Sequence, residues 1–217
     1  MDKKFHGNRI WQIVYPLGAY YALYSVLYTV FKKVFAGVGS PLLWLGVASA
    51  LTIPFIYGIY KQMPVVRSQK QFDKDTIVHE SLYILGIVAL GVLLNVVITH
   101  TPLMEQSAGF AQANEVFQVD SLLTKVFTNC ICIPILEEIV YRGIIAGQLM
   151  VWRGPVVAII LSSLLFGAMH FNMVQFLYAF LVGLALAYVY TKTNKLWVVI
   201  AAHGLTNLAV VLWQIVS

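Results

Sequence analysis

Charged side chains are scarce in this sequence. Asp, Glu, Lys and Arg make up 11% of the 217 residues, and hydrophobic residues make up 60%, whereas soluble domains carry about 25% charged residues. This shortage excludes a water-soluble globular domain, because too few polar side chains remain to cover its surface. The mean hydropathy of +0.81 indicates a polytopic membrane protein instead.

Cysteine is equally sparse, and the basic residues do not form a patch. Cys130 and Cys132 lie in an apolar run at a spacing that suits neither a C-x-x-C motif nor a disulfide framework, so we expect two buried free thiols. The net charge of +5 comes from Lys and Arg residues between apolar runs, with no basic stripe interleaved with aromatics. Nucleic acid is therefore not an expected partner. We see no internal repeat or second domain, which predicts one integral membrane domain over residues 1–217.

Seven apolar stretches approach the length of about 20 residues that a spanning helix needs. They predict an all-α polytopic bundle of about seven spans whose principal partner is the lipid bilayer. The fourth stretch is too long for one perpendicular span, so we expect it to be tilted or to extend past the bilayer. The predicted spans are 10–31, 41–60, 80–99, 122–151, 155–171, 173–191 and 196–216.

The loops predict an orientation. Basic residues lie before the first span, in loop 61–79, at Arg153, and at Lys192 and Lys195, whereas loop 100–120 is acidic, with Glu105, Glu115 and Asp120. The positive-inside rule then places the N-terminus in the cytoplasm of a cell membrane. Since no small-residue cleavage site follows the first apolar run, we interpret it as a retained span and not as a signal peptide.

The first span is crowded with tyrosines, at positions 15, 20, 21, 24 and 28. A lipid-facing or interfacial aromatic belt explains them, and a ligand-binding box is the alternative.

Polar side chains interrupt the fourth span at Glu137, Glu138 and Arg142. An ionised group inside a membrane helix costs roughly 2.5–3.5 kcal/mol on insertion scales, so such groups are usually paired or functional. Glu138 and Arg142 are four residues apart and can pair on one helix face. Glu137 is rotated by about 100° and is left free to hold a water. Pro134, one turn upstream, removes the helical partner of the Cys130 carbonyl and predicts a kink.

Two later spans carry further polar groups. His170 comes 15 residues after Pro155, which predicts a position near the outer end of the fifth span. His203 and Asn207 share one face of the last span. Each group alone is explained as well by interhelical hydrogen bonding. If the three faces converge, a carboxylate can take a proton from water while imidazole and amide donors stabilise a tetrahedral oxyanion, which is the chemistry of hydrolysis.

The motifs Glu137-Glu138-x-x-x-Arg142, Phe166-x-x-x-His170 and His203-x-x-x-Asn207 resemble those of a known family. This is the CAAX-protease and bacteriocin-processing (CPBP, or Abi) family of intramembrane glutamic endopeptidases. The resemblance covers about residues 120–216, the expected catalytic core. It implies that Glu137 activates water with the help of His170, and that Glu138 and Arg142 support the site. His203 and Asn207 would form the oxyanion hole.

The resemblance also implies a substrate class: a peptide or protein in the membrane. A bacterial member, which this chain resembles more than a eukaryotic one, would process small peptides such as bacteriocins or pheromones, or act in self-immunity. We expect no cofactor and no metal, because no His-Glu-x-x-His motif is present and an Arg nearby disfavours a cation. Three alternatives stay open: a zinc-dependent version of the protease, a non-catalytic immunity or regulatory protein with a membrane partner, and a transporter with a proton relay.

Overall fold

The computed structural model describes residues 8–68, 74–101 and 120–216, and within these ranges the chain forms seven helices and no strand. The all-α prediction is therefore confirmed. The acidic loop residues Glu105 and Glu115, and the basic residues Lys3, Lys4 and Lys70, lie outside the described residues. The helices are α1 (Arg9–Val34), α2 (Pro41–Gln62), α3 (Ile77–Thr99), α4 (122–153), α5 (Pro155–Ala168), α6 (Met173–Thr193) and α7 (Leu196–Val216).

Helix α4 is composite. It begins with one α-helical turn, Leu122–Lys125, and then alternates between wide π-helical and ordinary α-helical segments. The π-helical segments are Val126–Cys132 and Ile139–Ala146, and they flank the α-helical segment Ile133–Glu138 that carries both glutamates. π-helical turns are rare in proteins as a whole, but those that do occur are often found at functional sites. The long fourth span is thus one continuous helix with two π-helical segments.

Helix α4 lies at the centre of the bundle and packs against α1, α2, α5, α6 and α7, while α3 packs on the outer side of α6 and α7. Every residue of the segment Ile139–Ala146 is buried. The outer side of the bundle is apolar: Leu82, Leu85 and Leu93 on α3 are each at least 60% exposed. Such exposed leucines suit a helix that faces lipid. Among the described helices, five are long and apolar enough to cross a membrane, and α5 is a shorter apolar helix.

The predicted basic loops meet at one end of the bundle. At the start of α1, the guanidinium of Arg9 lies 5.8 Å from the ring of Trp152 at the end of α4. The Ser68 N–H donates to the Asn194 carbonyl, and Lys195 is paired with Glu80. These contacts place the start of α1, the described loop residue Ser68 and the α6–α7 turn on the same side. That this side is cytoplasmic stays a prediction.

Helix α5 is short, and His170 follows it closely. Its 14 residues span about 21 Å at 1.5 Å per residue, less than the roughly 30 Å thickness of the hydrocarbon core. The helix ends at Ala168, and residues 169–172 connect it to α6. Asn172 caps α6 by accepting a hydrogen bond from the N–H of Gln175, at 2.8 Å. His170 therefore lies just beyond the end of α5, in agreement with its predicted place at the end of the fifth apolar stretch.

Candidate active site

The two adjacent glutamates of α4 face different surroundings. Glu138 is fully buried, and its Oε1 atom accepts a hydrogen bond at 2.9 Å from Nη1 of Arg142, which is also fully buried. The second terminal nitrogen of Arg142 donates to the Gly183 carbonyl on α6, at 3.1 Å. The Glu137 side chain keeps 14% of its surface exposed. The predicted division is therefore present: Glu138 is paired with Arg142, and Glu137 has the freer carboxylate.

His203 on α7 lies between the two glutamates. Its Nδ1 atom is 2.8 Å from Oε1 of Glu138, and its Nε2 atom is 3.9 Å from Oε2 of Glu137. An ionised carboxylate paired with an arginine accepts hydrogen bonds and donates none. The proton of a neutral His203 is therefore on Nδ1, and the lone pair on Nε2 faces Glu137. Such a fixed tautomer is typical of a histidine that exchanges protons.

His170 lies just beyond the end of α5. Its Nδ1 atom is 2.9 Å from the Phe166 carbonyl, which can only accept, so Nδ1 carries the proton and Nε2 is free to accept one. The imidazole lines the same cavity as Glu137. The structure thus brings the side chains of Glu137, Glu138, Arg142, His170 and His203 together from three helices.

The ring of Phe166 contacts the Arg142 guanidinium and both imidazoles. It is buried and lies 4.5 Å from the Arg142 guanidinium. Both imidazoles meet its ring nearly at right angles, with centroids 5.1 Å away for His170 and 5.7 Å for His203. A cation over an aromatic face is stabilised by the ring quadrupole. Phe166, which the sequence indicated only as a motif position, therefore helps to orient three members of the cluster.

A cavity of about 340 Å³ opens beside Glu137 and His170. Much of its wall comes from tyrosines, three of them on α1. Tyr20 is only 5% exposed. The interpretation of these tyrosines as a lipid-facing belt was therefore wrong for Tyr20, Tyr21 and Tyr24, because α1 turns them toward α4. The lining residues are Tyr20, Tyr21, Tyr24, Ser25, Glu137, Tyr141, Met169, His170 and Phe171.

Asn207 is bonded away from the glutamates. Its side-chain amide donates to the main-chain carbonyl of Asn129, at 2.7 Å. In the π-helical register the N–H of Ile133 pairs with the carbonyl of Thr128, five residues back. The next donor in that register would be residue 134, which is a proline without an N–H. The Asn129 carbonyl is therefore left without a helical partner. Asn207 satisfies it.

The two cysteines are free and buried, as predicted. Throughout the ranges 8–68, 74–101 and 120–216, no group of three His, Cys, Asp or Glu side chains is placed to hold a metal ion. A catalytic zinc commonly has three protein ligands. Glu138 is not free to be such a ligand, because it is paired with Arg142 and bonded to His203.

Fold and site together define a polytopic α-helical membrane protein with a buried polar cluster beside a cavity. Comparison with known proteins finds a related family for the C-terminal part of the chain. Residues 119–209 match the family model described as "Type II CAAX prenyl endopeptidase Rce1-like". The resemblance predicted from the three motifs is therefore confirmed for this segment, which contains all five members of the cluster and Asn207.

A curated relative matches as well. Over 90 residues the chain is 36% identical to the "Putative membrane peptidase YdiL" of Bacillus subtilis (strain 168). The match covers 42% of this chain and 37% of that protein, so the chain spans little more than a third of the relative's length. No solved structure matches the chain.

Proposed function

We propose that this protein is an intramembrane endopeptidase in which Glu137 activates a water molecule. The observation that carries the proposal is the placement of one partly exposed carboxylate, Glu137, in a cavity that it shares with His170, with Nε2 of His203 at 3.9 Å. A general base has to reach both water and the substrate. The family match and the peptidase name of the relative support hydrolysis of peptide bonds over ion transport.

The arrangement of these side chains supports the following reaction. A water held between Glu137 and Nε2 of His170 loses a proton to the Glu137 carboxylate, and its oxygen attacks the carbonyl carbon of the substrate peptide. The C=O double bond opens to a tetrahedral oxyanion. The proton on Glu137 then passes to the amide nitrogen as the C–N bond breaks, which returns the carboxylate to its starting state. Glu138 and Arg142 act through His203, whose ring they hold by the Nδ1 bond.

We propose His203 and Asn207 as supports of the oxyanion side of the site. The substrates would be small membrane-associated or secreted peptides, with processing of a bacteriocin or pheromone, or self-immunity, as the biological role. A membrane partner protein would act with it in a regulatory role. The N-terminus would lie in the cytoplasm of a bacterial cell. We propose the whole chain as one integral membrane domain with residues 120–216 as its catalytic core.

Cleavage of a peptide library by the purified protein tests this function. We expect products from wild type and none above background from Glu137→Gln, which keeps the size of the side chain but cannot take a proton. Glu137→Gln should melt in detergent at the wild-type temperature, so that lost activity cannot be attributed to unfolding. Wild-type cleavage by this variant would overturn the assignment of the base.

A chelator separates the metal-free mechanism from the zinc-dependent alternative. We expect cleavage to survive treatment with a strong zinc chelator. Activity that is lost on chelation and restored by added zinc would refute the metal-free route. If wild type cleaves no member of the library, a non-catalytic immunity or regulatory role becomes the better explanation.

A further inference from the structure

Helix α1 supplies an aromatic wall of the cavity, although it lies outside the segment 119–209 that matches the family. Spacings of three and four residues place the side chains of this wall on one face of α1. The ring centroids of Tyr20 and Tyr24 are 5.8 Å apart, and the Tyr21 hydroxyl lies 3.0 Å from the hydroxyl of Tyr141 on α4. The wall is therefore packed together and bonded to α4. Its members on α1 are Tyr20, Tyr21, Tyr24 and Ser25.

The cavity is larger than the reaction at Glu137 requires. Its volume is about 340 Å³, whereas a water takes up about 30 Å³ of liquid and an apolar cavity of roughly 150 Å³ is enough to hold benzene. Once the attacking water is in place, there is still room for one large side chain of a bound peptide.

The lining favours an apolar side chain in that space. Among the described residues that form it, none is Lys or Arg, and the carboxylate is that of Glu137. An acidic substrate side chain would be repelled by Glu137, and a basic one would pair with the carboxylate that has to take a proton from water. The tyrosine rings, by contrast, offer stacked or edge-to-face contacts to another ring.

The mouth of the cavity is formed by Ser25 and Phe171. Ser25 is exposed on α1, and Phe171, in the turn between α5 and α6, is 81% exposed although it lines the cavity. The backbone of Phe171 has a φ of 55°, a region that bulky residues rarely adopt. Its ring buries little surface in return for this strain, and strained residues are concentrated at functional sites. Phe171 also follows His170 directly, so its ring lies beside the reacting groups.

We propose that Tyr24, Ser25 and Phe171 form the subsite for the substrate residue next to the scissile bond, and that this subsite selects a large apolar side chain. The inference rests on the proposed peptidase function and adds a substrate preference to it. It also gives α1 a role in choosing the substrate, whereas the groups that carry out the reaction lie on α4, α7 and the end of α5.

Variants of one cleaved library peptide test the preference. The residue on each side of the scissile bond is replaced in turn by Phe, Ala, Asp and Lys. At one of the two positions we expect the wild-type kcat/KM to be at least about tenfold higher with Phe than with Ala, and lowest with Asp and Lys. Equal cleavage of all four peptides, or a preference for Lys, would overturn the inference and leave the peptidase function intact.

Substitutions at the mouth test which residues set the preference. Ser25→Phe should fill the subsite and lower the Phe-to-Ala ratio of kcat/KM by at least about tenfold. Phe171→Gly removes the ring at a φ that glycine adopts readily, so it should lower the same ratio and melt no lower than wild type. Ala22→Phe is the matched control, because it adds a ring at an exposed position of α1 that does not line the cavity; it should keep the wild-type ratio. An unchanged ratio in both mouth variants, or an equal fall in the control, would overturn the inference.

A binding measurement separates a lost preference from a lost reaction. Glu137→Gln keeps the tyrosine wall and is expected not to cleave, so binding of the intact peptides can be measured. We expect it to bind the Phe peptide at least about tenfold more tightly than the Ala peptide, and the added change Ser25→Phe should remove this difference. Equal binding of the two peptides to Glu137→Gln would overturn the subsite. If wild type cleaves no peptide, the peptidase function fails, and this inference fails with it.

Discussion

Oxygen Oε1 of Glu138 lies 2.8 Å from Nδ1 of His203, although 65 residues separate the two positions. The same oxygen accepts the hydrogen bond from Arg142 at 2.9 Å. Both partners are donors that approach a buried anion, and this anion fixes the orientation of the imidazole. The two neighbouring glutamates therefore differ: Glu138 holds Arg142 and His203, whereas Glu137 faces the cavity.

Glu138→Gln should lower the free energy of unfolding by about 3–5 kcal/mol, because it leaves the fully buried Arg142 without its counter-charge. The matched change one residue earlier, Glu137→Gln, removes no ion pair with Arg142 and should change stability by less than about 1 kcal/mol. Denaturation of both variants in the same detergent measures the difference. Equal destabilisation of the two would contradict the separate roles of these carboxylates.

Asn207→Ala should cost about 1–3 kcal/mol of stability, since the buried Asn129 carbonyl would lose the hydrogen bond that it receives at 2.7 Å. Pro134→Ala provides a sharper test. It restores an N–H at the position that serves the Asn129 carbonyl in the π-helical register, so Asn207→Ala should be less costly in that background. A double-mutant cycle measures this coupling. Strictly additive effects would show that Asn207 does not replace the partner missing at Pro134.

Gly204→Ala should separate α7 from α4. A Cβ atom at this position would lie 2.5 Å from the Cys130 main-chain oxygen, closer than atoms approach without a shift. We expect a loss of about 1–3 kcal/mol together with reduced cleavage, because His203 is the preceding residue. Gly86→Ala on α3 is the matched control. No atom lies within 4 Å of its added Cβ, so it should be neutral or slightly stabilising. A Gly204→Ala protein as stable and active as wild type would refute the close approach of the helices.

Lys195→Met should lower the free energy of unfolding, because Lys195 links the start of α3 to the α6–α7 turn. Lys195 is 4% exposed and is paired with Glu80, which is 3% exposed; it also donates to the Thr76 hydroxyl at 3.0 Å. Removing one charge leaves the other buried and unpaired, at a cost of about 3–5 kcal/mol. The double variant Lys195→Met, Glu80→Met should recover most of the loss. If the single change costs less than the double, the pair does not link α3 to the α6–α7 turn.

Local sequence patterns were sufficient to predict several features of this protein. The shortage of charge and the lengths of the apolar runs predicted the helices, with ends that differ from the structure by a few residues in most cases. The pairing of Glu138 with Arg142 was also predictable, because residues four apart on a helix share a face whatever surrounds them.

Features that depend on neighbouring helices were not predictable in this way. The π-helical register of α4 has no local sequence pattern, and it leaves the Asn129 carbonyl for Asn207 on α7 to satisfy. The tyrosines of α1 have the composition of an interfacial belt, and only the packing of α1 against α4 turned Tyr20, Tyr21 and Tyr24 toward the cavity.

The sequence by itself determined that this chain is a helical membrane protein and that Glu137, Glu138 and Arg142 lie within one of its helices, since both follow from the lengths of the apolar runs. The tertiary structure decided which of those groups meet. Contacts between Glu138 and His203, or between Tyr21 and Tyr141, depend on how helices far apart in the chain are rotated and shifted against one another, and that is set by the packing of the whole bundle.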